Sequence, residues 1–143
     1  MKRKLLAAGA ALALILAALP WSAALLFSEN GEETRRILFS SFDPTPFGYG
    51  NPGPLLTAVA VSALFVCALA VWVKKTGYGL LQVLSGAAFV LSVLPAFQGW
   101  RYLTVTGVLL SLVLLAETVL SFLTLPEKEA PAPEKRKKKR RKK

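Results

Sequence analysis

Four long apolar runs, set apart by short clusters of charge, constrain this chain more than any other feature. They cover residues 5–27, 55–73, 80–97 and 102–125. Crossing the hydrocarbon core of a bilayer takes about 20 residues of helix, and each run is near that length. Folded in water, four such runs would lack polar cover, since 54% of the 143 residues are hydrophobic and 18% are charged. In lipid every backbone polar group must be satisfied within the segment or in a closed barrel, and the alternation of barrel strands is absent. The expected fold class is an all-α membrane protein, a four-transmembrane-helix bundle.

The basic residues orient it. Lys2, Arg3 and Lys4 precede the first run, Lys74 and Lys75 follow the second, and the end of the chain is basic. Of the 18 basic residues only Arg35, Arg36 and Arg101 fall on the opposite side. The positive-inside rule then makes both termini cytoplasmic. Residues 1–4 form a short cytoplasmic N-terminus, 28–54 an external loop, 74–79 a cytoplasmic turn, 98–101 an external turn and 126–143 a cytoplasmic tail. Trp21, Phe27, Trp100 and Tyr102 gather toward the outer ends and Trp72 and Tyr78 toward the inner, where amphipathic rings favour the interface. A secretory signal cleaved near Ser22-Ala23-Ala24 competes with an uncleaved anchor for the first run. The anchor is favoured because the apolar stretch continues through Leu25, Leu26 and Phe27. The expected setting is the plasma membrane of a bacterium.

The external loop has two halves. Asn30 and Glu33 have capping-box spacing, Glu32 and Arg36 stand at i, i+4 in the favourable order, and Leu38 and Phe42 share a side with Phe39. These predict a short amphipathic helix on the outer surface, ended at Asp43-Pro44. A Pro/Gly-rich stretch follows, in which Gly48-Tyr49-Gly50 spells the centre of a potassium filter. A filter needs threonine and valine before that triplet, and Pro46 and Phe47 occupy those positions. The preferred reading is a rigid cap, with Pro52-Gly53 in a turn and Pro54 opening the second helix. The segment Phe42-Asp43-Pro44-Thr45-Pro46-Phe47-Gly48-Tyr49, continuing through Asn51 and Pro54, resembles a group of small, uncharacterised four-span bacterial membrane proteins. The resemblance implies topology and carries no activity, cofactor or site residue.

Small residues mark the faces on which membrane helices approach closely. Candidates are Gly9, Ala13 and Ala17; Ala60, Ala63, Cys67 and Ala70; Ala88 and Ser92; and Gly107 and Ser111. Pro20 is expected to bend the first helix and Pro95 to end the third. Glu117 is the one acid within a run, about 12 Å of helix from the inner end. An ionisable group inside a membrane is costly and a functional candidate by default. Thr106, Ser121 and Thr124 share its side of the helix, and Gln82, Ser85 and Ser121 are its candidate partners, with Lys74 or Lys75 reaching up from below. It either holds the third and fourth helices in register or handles a proton or cation.

The tail runs from a Pro- and Glu-rich spacer into Lys135, Arg136, Lys137, Lys138, Lys139, Arg140, Arg141, Lys142 and Lys143. Beside an anionic leaflet each such charge gains about 1 kcal/mol, so binding to anionic headgroups is expected. RNA attraction follows the same physics, but without aromatics to stack bases no sequence-specific nucleic acid is expected. With no histidine and a single cysteine, Cys67, no metal site or cofactor is expected. No nucleophile–base pair or phosphate loop points to an enzyme. The leading expectation is a structural or accessory membrane protein, working through helix–helix contacts as a homo-oligomer or with a membrane partner. The alternative is a small oligomeric transporter or channel using Glu117.

Overall fold

The computed structural model describes residues 1–29, 33–44 and 52–124. The Gly48-Tyr49-Gly50 triplet and the basic tail, Lys135 to Lys143, lie outside the described residues. Among those described are four α-helices: α1 (Lys2–Ala18), α2 (Gly53–Lys74), α3 (Tyr78–Gln98) and α4 (Val105–Leu123). Each packs on its chain neighbour and α1 closes onto α4, giving an up-and-down ring. Three of them, α2, α3 and α4, are long and apolar enough to cross a membrane. The first helix is shorter, with 17 residues, or about 25 Å.

That length corrects the expectation for residues 5–27. Pro20 does not bend a continuing helix; the helix stops before it. Leu19 is already extended, at φ −65° and ψ 143°, as the residue before a proline prefers. The apolar residues beyond form strand β1 (Ala23–Glu29), which pairs antiparallel with β2 (Glu33–Phe39) in a register running from Ala23↔Phe39 to Glu29↔Glu33. From Glu33 to Phe39 the expected surface helix is therefore also corrected; Asn30 and Glu32 lie outside the described residues. The local signals for that helix are worth a few tenths of a kcal/mol per pair. A neighbouring strand instead offers a ladder of backbone hydrogen bonds to a segment containing β-branched Thr34 and Ile37. Asp43 closes a tight turn, its Oδ2 accepting from Ser40 N at 2.9 Å.

At the far side of the bundle Pro95 does not end α3 but lies inside its last turn, and the helix runs on to Gln98. Without an N–H, Pro95 cannot donate to the carbonyl four residues back, so the helix continues past it with one backbone bond fewer. A 3₁₀ turn over Trp100–Tyr102 leads to Thr104, whose side chain caps α4 by accepting from Gly107 N at 2.8 Å.

The core consists of Leu6, Ala10, Ala13 and Ala17 from α1, Val61, Leu64, Cys67, Ala68 and Val71 from α2, Tyr78, Leu81 and Ala88 from α3, and Leu110 and Leu114 from α4. The small-residue face expected on α2 is met in part: Cys67 lies in the core with Ala60 packed against it, Ala70 is half-buried and Ala63 is exposed, while Val61, Leu64 and Ala68 point inward. On α3 and α4 the expected faces meet, Ser111 donating to Ser92 O at 3.2 Å. Tyr78 is buried rather than interfacial.

Candidate functional site

The wheel of α4 sends Leu110, Leu114, Glu117 and Ser121 into the bundle. Glu117 is thereby buried among helices, with only 3% of its surface exposed. Its Oε1 has no hydrogen-bond partner among the described residues. Across from it stands Gly9 of α1, where an added Cβ would collide with Glu117 Oε2. The absence of a side chain at Gly9 makes the space that the carboxylate fills.

The residues expected to partner Glu117 meet one another instead. Ser85 and Ser121 hydroxyls lie 3.1 Å apart, Gln82 Nε2 donates to Ser121 O at 3.3 Å, and Ser85 Oγ donates to Gln82 O at 3.0 Å. They form a polar bridge between α3 and α4 one turn beyond the acid. Thr124 Oγ1 donates to Leu120 O at 2.7 Å, and Thr106 is half-buried. Lys74 and Lys75 are exposed. Lys75 closes α2 in the left-handed region, at φ 58°, rather than extending up the bundle.

A second polar cluster, with no counterpart among the residues singled out from the sequence, sits where the hairpin leaves the bundle. Ser22 Oγ donates to Ala17 O at 2.8 Å, accepts from Ser41 N at 2.8 Å and lies 2.9 Å from Ser41 Oγ. Ser41 N also donates to Ala17 O at 3.1 Å, and Ser40 Oγ reaches Ala17 O and Ala18 O at 3.3 and 3.2 Å. Thr104 Oγ1 donates to Ser22 O at 3.1 Å. These groups satisfy carbonyls that the end of α1 would leave orphaned. Beside them a hollow of about 30 Å³, lined by Ser22, Ser41, Thr57, Ser92 and Thr104 among others, has room for a water. The signal was available in Ser22, Ser40 and Ser41 flanking the two ends of the hairpin, but it has meaning only once the hairpin is known.

Neither Glu117 nor the serine cluster has the composition of a metal centre; among the described residues no three His, Cys, Asp or Glu side chains stand together. Cys67 is buried, with its Sγ 3.8 Å from Gly77 O. Compared with protein families, with curated proteins and with solved structures, the chain has no match. Function is therefore read from the bundle itself.

Proposed function

We propose that this chain is an integral multi-pass protein of the plasma membrane, of structural or accessory kind, acting through helix–helix contacts. The observation that carries the reading is the distribution of apolar surface. The ring has a filled apolar core, yet α2, α3 and α4 also expose Val59, Val66, Val83, Val90, Leu112 and Val119. A soluble bundle would show polar residues there; lipid or a partner helix covers such a surface at no cost. In this reading α1 is the fourth span. Its 17 residues fall short of a core of ~30 Å, a mismatch that local thinning and flanking lysines accommodate. Both termini are cytoplasmic, and the basic tail rests on anionic headgroups.

One observation favours a second reading. The unpartnered, buried Oε1 of Glu117 is the kind of acceptor that could take a proton or a small cation, as a carboxylate on a transport path does. The two separate in one set of reconstitutions. On the structural reading, vesicles holding the protein pass protons and alkali cations no faster than empty vesicles, and Glu117→Gln and Glu117→Leu both destabilise the protein in nanodiscs. Flux above the empty-vesicle level that Glu117→Gln abolishes, with Glu117→Leu as stable as the unmodified chain, establishes the transporter instead.

A further inference from the structure

At the end of the bundle that carries the N-terminus, the first turn of α1 and the ends of α2 and α4 surround an open hollow of about 650 Å³. Lys2, Arg3 and Lys4 line it with Trp72 and Leu123. Lys2 Nζ donates to Leu123 O at 3.3 Å, so the basic turn is seated on α4. A second hollow, about 410 Å³, opens between α1 and α2. It is walled by Ala7, Ala8 and Ala11 on one side and Phe65 and Leu69 on the other, and it shares Lys4 and Trp72 with the first.

The two hollows differ in chemistry and meet at Lys4 and Trp72. One is basic and faces the end of the bundle; the other is almost wholly apolar and runs along its side. Basic groups in the first turn of a helix stand at the positive end of its dipole, so α1 gains no stability from them. A phosphate among them forms charge-assisted hydrogen bonds. A helix packed into the alanine trough would bring no anion to those lysines, of which Lys2 meets only the neutral carbonyl of Leu123. A molecule with an anionic head and a hydrocarbon chain answers both hollows at once, and an indole at their junction suits the boundary between the two phases.

We propose that the adjoining hollows form one site for a single anionic phospholipid. Its phosphate lies between Lys2 and Lys4, and one acyl chain lies in the trough of Ala7, Ala8 and Ala11 against Phe65 and Leu69. Trp72 packs at the junction. The inference rests on the membrane-spanning reading above, and it is distinct from the attraction of the terminal basic run to a charged surface. It specifies a bound molecule at a shaped site.

The test uses the full chain with Trp21→Phe and Trp100→Phe, leaving Trp72 as the sole indole, reconstituted with brominated phosphatidylcholine or brominated phosphatidylglycerol. Quenching by the zwitterionic lipid reports that Trp72 lies in the bilayer, which tests the membrane reading separately from the site. The site requires phosphatidylglycerol to associate at Trp72 at least about fivefold more strongly, the gain expected per lysine near an anionic group. Lys4→Gln should remove about that factor. Ala8→Leu should remove a comparable factor by filling the trough without changing charge. Persistent quenching of both variants by the zwitterionic lipid shows that they remain folded and inserted. Glycerophosphate, a head without chains, should leave the preference unchanged. Equal association of the two lipids would overturn the proposal. So would a preference that survives either substitution, or one abolished by glycerophosphate at the concentration of the lipid.

Discussion

Gly9 on α1 and Glu117 on α4 occupy a single space: the carboxylate fills the volume where a side chain at position 9 would stand. At this point the contact between the first and last helices is thus built from a missing Cβ and a buried acid. Glycine in a helix interior is destabilising by about 1 kcal/mol relative to alanine. Its presence among the alanines of α1 therefore has a tertiary cause.

A sign reversal follows from that pairing. Gly9→Ala should gain about 1 kcal/mol of helix propensity and lose about 1–3 kcal/mol to overpacking against the carboxylate, for a neutral to destabilising net effect. In a Glu117→Ala background the clash is gone, so the same substitution should stabilise by up to about 1 kcal/mol. Unfolding of the four proteins in a double-mutant cycle, followed by denaturant titration in micelles, measures the coupling directly. An effect of Gly9→Ala that is unchanged by Glu117→Ala would show that the two residues do not share the space.

The bridge between α3 and α4 makes a smaller demand. Ser85 and Ser121 lie 3.1 Å apart and are both fully buried, yet the single proton of each is also within reach of a carbonyl of its own helix, Gln82 O and Thr118 O respectively. Only one of them therefore has to turn away from its carbonyl to bridge the helices. Hydrogen bonds between membrane helices average about 0.6 kcal/mol in such cycles. Ser85→Ala and Ser121→Ala should couple by about that amount, and the cycle should show additivity if the hydroxyls make only their local bonds.

The cluster at the hairpin base should matter more. Ser22 Oγ takes part in three hydrogen-bonding contacts, with Ala17 O, Ser41 N and Ser41 Oγ. Ser22→Ala takes from the buried Ser41 Oγ its partner 2.9 Å away, while Ser41 N keeps Ala17 O. A buried polar group left unsatisfied costs about 1–3 kcal/mol, so Ser22→Ala should lose that much stability. Amide exchange should rise at Ser41 and along β1 while α2 and α3 stay protected. Uniform loss across all four helices would instead mean that the cluster holds the whole bundle.

What the sequence made legible here was what depends on one segment at a time. The runs over residues 55–73, 80–97 and 102–125 have no plausible form in lipid but helix, and α2, α3 and α4 lie where they lie. What it hid depends on two segments together. Leu25, Leu26 and Phe27 suit a strand as well as a helix, and only pairing with residues 33–39 decides between them. Glu33, read as the second member of a capping box, lies instead in the ladder opposite Glu29. Glu117 was visible as an acid in an apolar run, but its neighbour was not. The partners sought for it, Gln82, Ser85 and Ser121, meet one another across α3 and α4, whereas Gly9 reaches it only through the rotational phase of α1.

The hairpin is the boldest departure from a plain four-helix reading, and it can be checked by covalent trapping. In a Cys67→Ala background, Ala24→Cys and Leu38→Cys place thiols at directly paired positions of β1 and β2. Paired residues of antiparallel strands lie about 4.5–5.5 Å apart at Cα, within the range a disulfide spans. Mild oxidation should therefore close the bridge within one chain. It would be detected as a mobility shift, reversed by reductant, when the loop is cut by a protease. The neighbouring combination of Ala24→Cys with Ile37→Cys is out of register and points to opposite faces of the ladder, so it should cross-link far more slowly. Had residues 5–27 formed one helix followed by another over 30–42, no strand register would distinguish the two pairs. Equal rates for the two pairs would thus remove the hairpin and return the first span to its full length.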